Sequence, residues 1–189
     1  RAKWHDIARQ KYRNGLPKPY SDAPTQWIFH GHPKPATTPL QVAVARLVGY
    51  RWPAESDKEM ELSDDARAWI AKSKTLDKLA DKDGIVCLGA IHGELPAHDR
   101  LLRLLEAAWG DEWNAGVLNK LLADADCAGK TLEIWLRDKF FEQHCALFHQ
   151  RPFIWHIWDG RRDGFHALVN YHKLTEGNGT GRRLLESLT

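Results

Sequence analysis

At 189 residues and 43% hydrophobic, the chain is long enough to bury one core and a small satellite without metals or disulfides. No apolar run approaches the roughly 20 residues of a membrane helix and no basic-then-apolar leader opens the chain, so a cytoplasmic protein is expected. The formal net charge of +2 hides an uneven distribution: residues 1–53 hold nine Lys/Arg against Asp6 and Asp22, residues 54–136 hold ten against seventeen acids, and the last 53 hold eight against six.

Such asymmetry suits a face that meets phosphate beside one that stays in water, although basic segments also pack on acidic neighbours. Three cysteines, Cys87, Cys127 and Cys145, give neither a disulfide framework nor a CxxC pair, and reduced thiols are expected. The chain begins RAKWHD without an initiator Met and stops inside RRLLESLT, which reads as an unfinished helix. A segment cut from a longer protein is expected.

WHDIARQKYRNG places Trp4, Ile7 and Ala8 on one side of a helix that ends near Asn14, ahead of Gly15. LPKPYSDAP is broken by proline, and TQWIFHGHPKP is an aromatic insertion closed by a second proline cluster, giving a loop, a short helix or turn, and another loop. Thr38 as cap and Pro39 in the first turn open a helix through LQVAVARLVGY, apolar nearly all round and so buried. RWPAESDKEMEL reads as an acidic linker. Ser63 caps an acidic first turn, Asp64 and Asp65, with helix continuing toward Leu76 and Leu79.

GIVCLGAI reads as a short buried strand, AHDRLLRLLEAAWG as a helix closing at Gly110, and AGVLNKLLADA as a helix capped by Asn114. Thr131 opens the longest helix, LEIWLRDKFFEQHCALFHQ, with Leu132, Trp135, Leu136, Phe140, Cys145 and Phe148 inward. RPFIWHIWDGRRDGFHALVNYHKL then pairs two β-branched and aromatic runs around DGRRDG, an antiparallel hairpin. EGNGTG is a loop before a terminal helix. The expected class is α+β, predominantly α-helical: a helical bundle with a hairpin near residues 153–171 and a short strand near 85–89. Its parts are a basic helical segment 1–53, a helical spacer 54–150, and a third part, 151–189, that opens with the hairpin.

Catalytic motifs are missing. GNGTG sits in a polar tail rather than between strand and helix, and there is no P-loop. His30 with His32, His92 with His98, and His144 with Cys145 and His149 invite a metal reading, but the spacing of five does not stack on one helix face, and ordinary imidazoles are expected instead. Glu133, Asp138 and Glu142 with Lys139 would suit a metal nuclease, yet they lie on a helix and read as solvated charges.

Nucleic-acid binding is better motivated. Basic residues interleave with aromatics in WHDIARQKYRNGLPKPY and again in the hairpin, supplying phosphate neutralisation and flat surfaces. The candidate DNA-contacting residues are Arg9, Lys11, Arg13, Lys18, Arg151, Arg161, Arg162, Lys173, Arg182 and Arg183. The competing reading makes Phe153, Trp155, Trp158, Phe165 and Tyr171 the hairpin core and the arginines tip solubilisers.

Residues 140–174, FFEQHCALFHQRPFIWHIWDGRRDGFHALVNYHKL, resemble a junction in large bacterial adenine-specific DNA methyltransferases of the BREX and DISARM phage-defence type and their type IIG restriction relatives. In those proteins a helix ends in an Arg-Pro-aromatic-hydrophobic-Trp strand, here Arg151 to Trp155, and a second strand follows, here Phe165 to His172. ATTPLQVAVARLVGYRWPAE, residues 36–55, is similar to the same proteins. The resemblance implies a non-catalytic spacer with the start of a target-recognition region at 151–189, lying C-terminal to a catalytic domain of the same chain. It also implies double-stranded DNA and other defence-system subunits as partners. S-adenosylmethionine is implied for the full-length protein and no cofactor for this segment, since the Asn-Pro-Pro-aromatic motif is missing. An enzyme that flips adenine must also hold distorted DNA and read flanking bases. Two alternatives stand beside this: a helical scaffold that docks another subunit, and a metal-dependent nuclease domain.

Overall fold

The computed structural model describes residues 2–13, 16, 19–91, 93–175 and 186. In chain order these form α1 (Ala2–Lys11), α2 (Pro39–Leu47), α3 (Pro53–Ser56), α4 (Asp64–Lys74), β1 (Ile85–Cys87), α5 (Ala97–Trp109), α6 (Ala115–Asp124), α7 (Leu132–Asp138), α8 (Phe140–Leu147), β2 (Ile154–Trp158), β3 (His166–Asn170) and α9 (Tyr171–Leu174). The fold is α+β and mostly helical, as its sequence implies. The hairpin β2–β3 is antiparallel, and β1 adds to its other side, giving the order β1-β3-β2.

The centre is α2. Every residue from Leu40 to Leu47 is buried, as a helix without a polar stripe must be. Leu101, Leu104 and Leu105 of α5 pack on it at helical spacing, and Trp135, Leu136 and Phe140 join from α7 and α8. Val86, Ile154 and Leu168 bring one face of the sheet into the same core, which therefore draws on residues from 29 to 168. Each large side chain so buried is worth about 1.5–3 kcal/mol over an exposed one. The Ser63, Asn114 and Thr131 caps form, accepting from the N–H groups of Ala66, of Gly116 and Val117, and of Ile134. Thr38 does not cap α2: its Oγ1 is buried without a partner.

Several expectations need correction. The helix expected from 132 to 150 breaks at Lys139 (φ −127°, ψ −34°), so the longest helix among the described residues is α5, with 13 residues. The apolar periodicity runs through the break, so sequence alone does not reveal it. The change of direction brings both Phe140 and His144 to Gln41 of α2. Gln41 Nε2 donates to the Phe140 carbonyl at 3.2 Å, and its Oε1 accepts from His144 Nδ1 at 3.2 Å. Cys145 and Phe148, expected inward, are only half-buried. Trp4 and Ile7, on one side of α1 as their spacing implies, are both exposed. The insertion read as loops and turns is core: Phe29, His30 and His32 are all buried.

The acidic stretch 51–62, expected to be a linker, is also packed. Trp52 is buried, its Nε1 donating to the Pro24 carbonyl at 2.8 Å, and Ala54 forms a small second cluster with Leu62, Ala66 and Ile70. Glu55 explains why the stretch folds back. Arg46 is 1% exposed inside α2, and its Nη1 lies 2.7 Å from Glu55 Oε2 and 3.0 Å from the Gly31 carbonyl. Its Nη2 reaches Asp77 Oδ1 at 2.7 Å and the Ser73 carbonyl at 2.8 Å. Gly31 (φ +78°) cannot be replaced cheaply, because a Cβ there would meet the Glu55 carboxylate and Arg46 Nη1.

Three buried imidazoles are held neutral by geometry. His30 Nδ1 accepts from His32 N–H, and His32 Nδ1 accepts from Lys34 N–H. His144 donates from Nδ1 to Gln41 and accepts at Nε2 from Ile154 N–H. Burial, the main cause in each case, pushes His30 and His144 down to about 4 and His32 to about 3.

Two predictions follow from these groups. Arg46→Met should cost about 3–5 kcal/mol in urea unfolding, because Glu55 is left buried and unpaired. Adding Glu55→Gln should return about 1–2 kcal/mol, since the stranded charge is gone and Gln can still accept from Trp52 N–H; a double variant no more stable than the single would contradict this account. The imidazoles set the pH dependence: unfolded they take up protons near the ordinary 6.5, folded only near 4 or below. Stability is therefore complete above that ordinary value and is lost as pH falls toward about 4, by up to about 1.4 kcal/mol per pH unit for each ring. A urea midpoint that stays constant from about pH 7 to about pH 5 would count against neutral buried rings.

Candidate nucleic-acid interface

Alternation along β2 and β3 decides what the ribbon presents. Ile154 and Leu168 point into the core, so Trp155 and Ile157 point away from it, and both are exposed. β3 is the middle strand and is buried throughout, whereas β2 is an edge. Of the five aromatics that could have formed a hairpin core, only Phe153 does. Trp155, Trp158, Phe165 and Tyr171 are exposed, Trp158 at 53%.

The turn between the strands is fixed by its own polar groups. The Asp159 carboxylate accepts the Arg161 N–H at 2.9 Å, and the N–H groups of Arg161 and Phe165 hold its pKa below the usual carboxylate range. Gly164 N–H donates to the Arg161 carbonyl at 3.0 Å, and a Cβ on Gly164 would run into the Asp159 carboxylate. His166 completes the frame. Its Nε2 lies 3.0 and 3.1 Å from the Arg161 and Arg162 carbonyls, and its Nδ1 lies 2.9 Å from His156 Nε2. The carbonyls can only accept, so His166 carries its proton on Nε2 and His156 donates from its own Nε2. Burial, then the charge His166 can carry, pushes His156 below the usual imidazole range. Trp158 stacks on His166 with centroids 5.6 Å apart.

Arg161 and Arg162 therefore project from a backbone that is held in place. The Arg162 side chain is 74% exposed, with Nη2 3.6 Å from Asp138 Oδ2. Asp159 and Asp163 share the turn with the two arginines, so its formal charge sums to zero. Any pull on phosphate comes from where the guanidinium groups stand rather than from a large net potential.

The other candidate residues do not gather there. Arg9 and Lys11 lie on α1 and Arg13 just beyond it, all exposed, with Lys11 Nζ 5.4 Å from the Tyr12 ring. Arg151, before β2, and Lys173, on α9, sit at the opposite end of the ribbon from the tip, about one five-residue strand or roughly 15 Å away. Lys18, Arg182 and Arg183 lie outside the described residues, as do the EGNGTG loop and His92.

The structure also assembles a group that sequence reading did not. Where α7 gives way to α8, a cleft of about 450 Å³ opens against the ribbon, lined by Arg137, Asp138, Phe141, Glu142, His156, Trp158, Arg162 and His166. The break at Lys139 makes this space, and no local signal marks it. The pairing of Trp158 with His166 was legible, because a hairpin centred on residues 161–163 puts those positions opposite each other. The acids considered for a nuclease are differently engaged: Arg137 grips Asp138 through two contacts, at 2.7 and 3.1 Å. Among the described residues no three His, Cys, Asp or Glu side chains are placed to hold a metal ion together.

Comparison with protein-family models, with curated proteins and with solved structures gave no match to this chain.

Proposed function

We propose that this chain is the DNA-contacting spacer and partial target-recognition portion of an adenine-specific DNA methyltransferase of bacterial phage-defence or restriction-modification systems. The supporting observation is the ribbon tip: two exposed arginines beside an exposed tryptophan, on a turn whose backbone is pinned by Asp159 and His166. A guanidinium held at a fixed position loses less entropy on meeting a phosphate than one on a mobile loop, and a neighbouring ring adds a stacking or edge contact. The resemblance of residues 140–174 to the methyltransferase junction supports the same reading.

In this reading S-adenosylmethionine and the transfer of its methyl group to adenine belong to a catalytic domain elsewhere in the chain. The antiparallel sheet of the described residues, which differs from the parallel crossover with a glycine-bearing loop that holds dinucleotides, supports placing the cofactor there.

A second reading, a scaffold that docks another subunit, is favoured by one feature, the exposed Trp155 and Ile157 on the ribbon with Tyr171 at the start of α9. Salt separates the two. Fluorescence anisotropy with a labelled duplex should show affinity falling with a log–log slope of about −2 to −3, one phosphate contact for each tip arginine and at most one more. Replacing both Arg161 and Arg162 by Ala should flatten that slope by about two. Absence of duplex binding at low salt would remove the DNA reading and leave the scaffold.

A further inference from the structure

The geometry points to the cleft between the α7–α8 break and the ribbon as a site for one unpaired, amine-bearing nucleotide of a DNA strand. This inference rests on the DNA-contacting reading and adds to it a ligand and a site. Three features carry it. Trp158 stacks on His166 by one face and is 53% exposed, so it offers a planar surface at the cleft, with Phe141 as a second aromatic in the lining. Glu142 is exposed and no cation pairs with it among the described residues, so its carboxylate is free to accept from an exocyclic amine. Arg162 reaches over the same space, tied only by a 3.6 Å approach to Asp138, and can exchange that weak contact for a phosphate oxygen.

Together these supply what a single unstacked nucleotide requires: a ring to stack on, an acceptor for its amine and a cation for its phosphate. The cleft, about 450 Å³, falls in the size range of ordinary small-ligand sites. Adenine and cytosine carry an exocyclic amine that donates to a carboxylate, and thymine does not. The site should therefore discriminate against thymine. An enzyme that opens a duplex to reach adenine also leaves neighbouring or partner bases unstacked, and a fixed pocket for one of them would hold the opened state.

The test uses the whole chain and four labelled or competing probes: single-stranded dA12, single-stranded dT12, a fully paired duplex, and free deoxyadenosine monophosphate. The chain should bind dA12 about fivefold more tightly than dT12. Trp158→Ala should weaken dA12 binding about tenfold, while Trp158→Phe, which keeps a ring, should restore most of it. Glu142→Ala, which removes the acceptor, should abolish the preference for dA12, while Glu142→Gln, which keeps a carbonyl acceptor, should retain part of it. Duplex binding, which uses the ribbon tip, should be unaffected by Glu142→Ala, since Glu142 belongs to the cleft alone. Equal binding of dA12 by the parent chain and Trp158→Ala, or no preference over dT12, overturns the site while leaving the duplex-binding reading intact. Loss of binding to the duplex and to both strands sinks that reading and this one together. A mononucleotide that binds through Trp158 while dA12 does not would overturn the assignment to a strand.

Discussion

A buried guanidinium governs how this chain folds. Arg46 lies in the last turn of a helix that is buried on every side, where an unpaired charge would cost several kcal/mol. It must be met from several directions, and it is: by Glu55 on α3, by Asp77 and the Ser73 carbonyl beyond and within α4, and by the Gly31 carbonyl of the aromatic insertion. Meeting its two terminal nitrogens, while Nε stays buried without a partner, thus fixes the positions of four segments that hydrophobic burial alone would leave free to slide. Apolar contacts make the core favourable; the ion pair selects one arrangement of the segments around it.

From that centre the path to the ribbon is short. Gln41, five positions before Arg46 on the same helix, engages both Phe140 and His144, and His144 in turn takes the N–H of Ile154 where β2 begins. Asn170, closing β3, donates to the Val48 carbonyl at 3.0 Å just past the end of α2. Asp81 steadies the third strand, accepting from the N–H groups of Asp83, Gly84 and Ile85 while pairing with Arg100. The hairpin is thus anchored at its base by side chains from the core helix and its neighbours. Its tip stands in solvent with a defined shape.

What could be read from the sequence follows from which forces are local. The Ser63, Asn114 and Thr131 caps, the mostly apolar α2 and the hairpin around DGRRDG are each set by neighbours within a few residues, and each is present. Features set by distant partners were not legible. Residues 51–62 read as a solvated linker because nothing nearby shows that Glu55 answers Arg46. His30 and His32 read as part of a loop because their burial depends on the body of the protein closing around them, with Trp69 of α4 among their ring neighbours. The break at Lys139 is hidden by an apolar periodicity that continues through it, and with it the cleft. At the ribbon, strand alternation puts Trp155 and Trp158 on opposite faces, which the reading of all five aromatics as one hairpin core left out. Which set would be buried depended on where β1 and α8 came to lie.

The hydrogen bond from Ile154 to His144 has a consequence for assembly. β2 is the outer strand of its sheet, and the Ile154 N–H turns away from β3, toward the side on which a foreign strand would add. By occupying that donor, the imidazole denies an incoming chain its first rung beside Trp155 and Ile157, a pair well suited to β-ladder growth. One histidine nitrogen therefore acts as a guard against strand-on-strand self-association, and it does so only while it carries no proton.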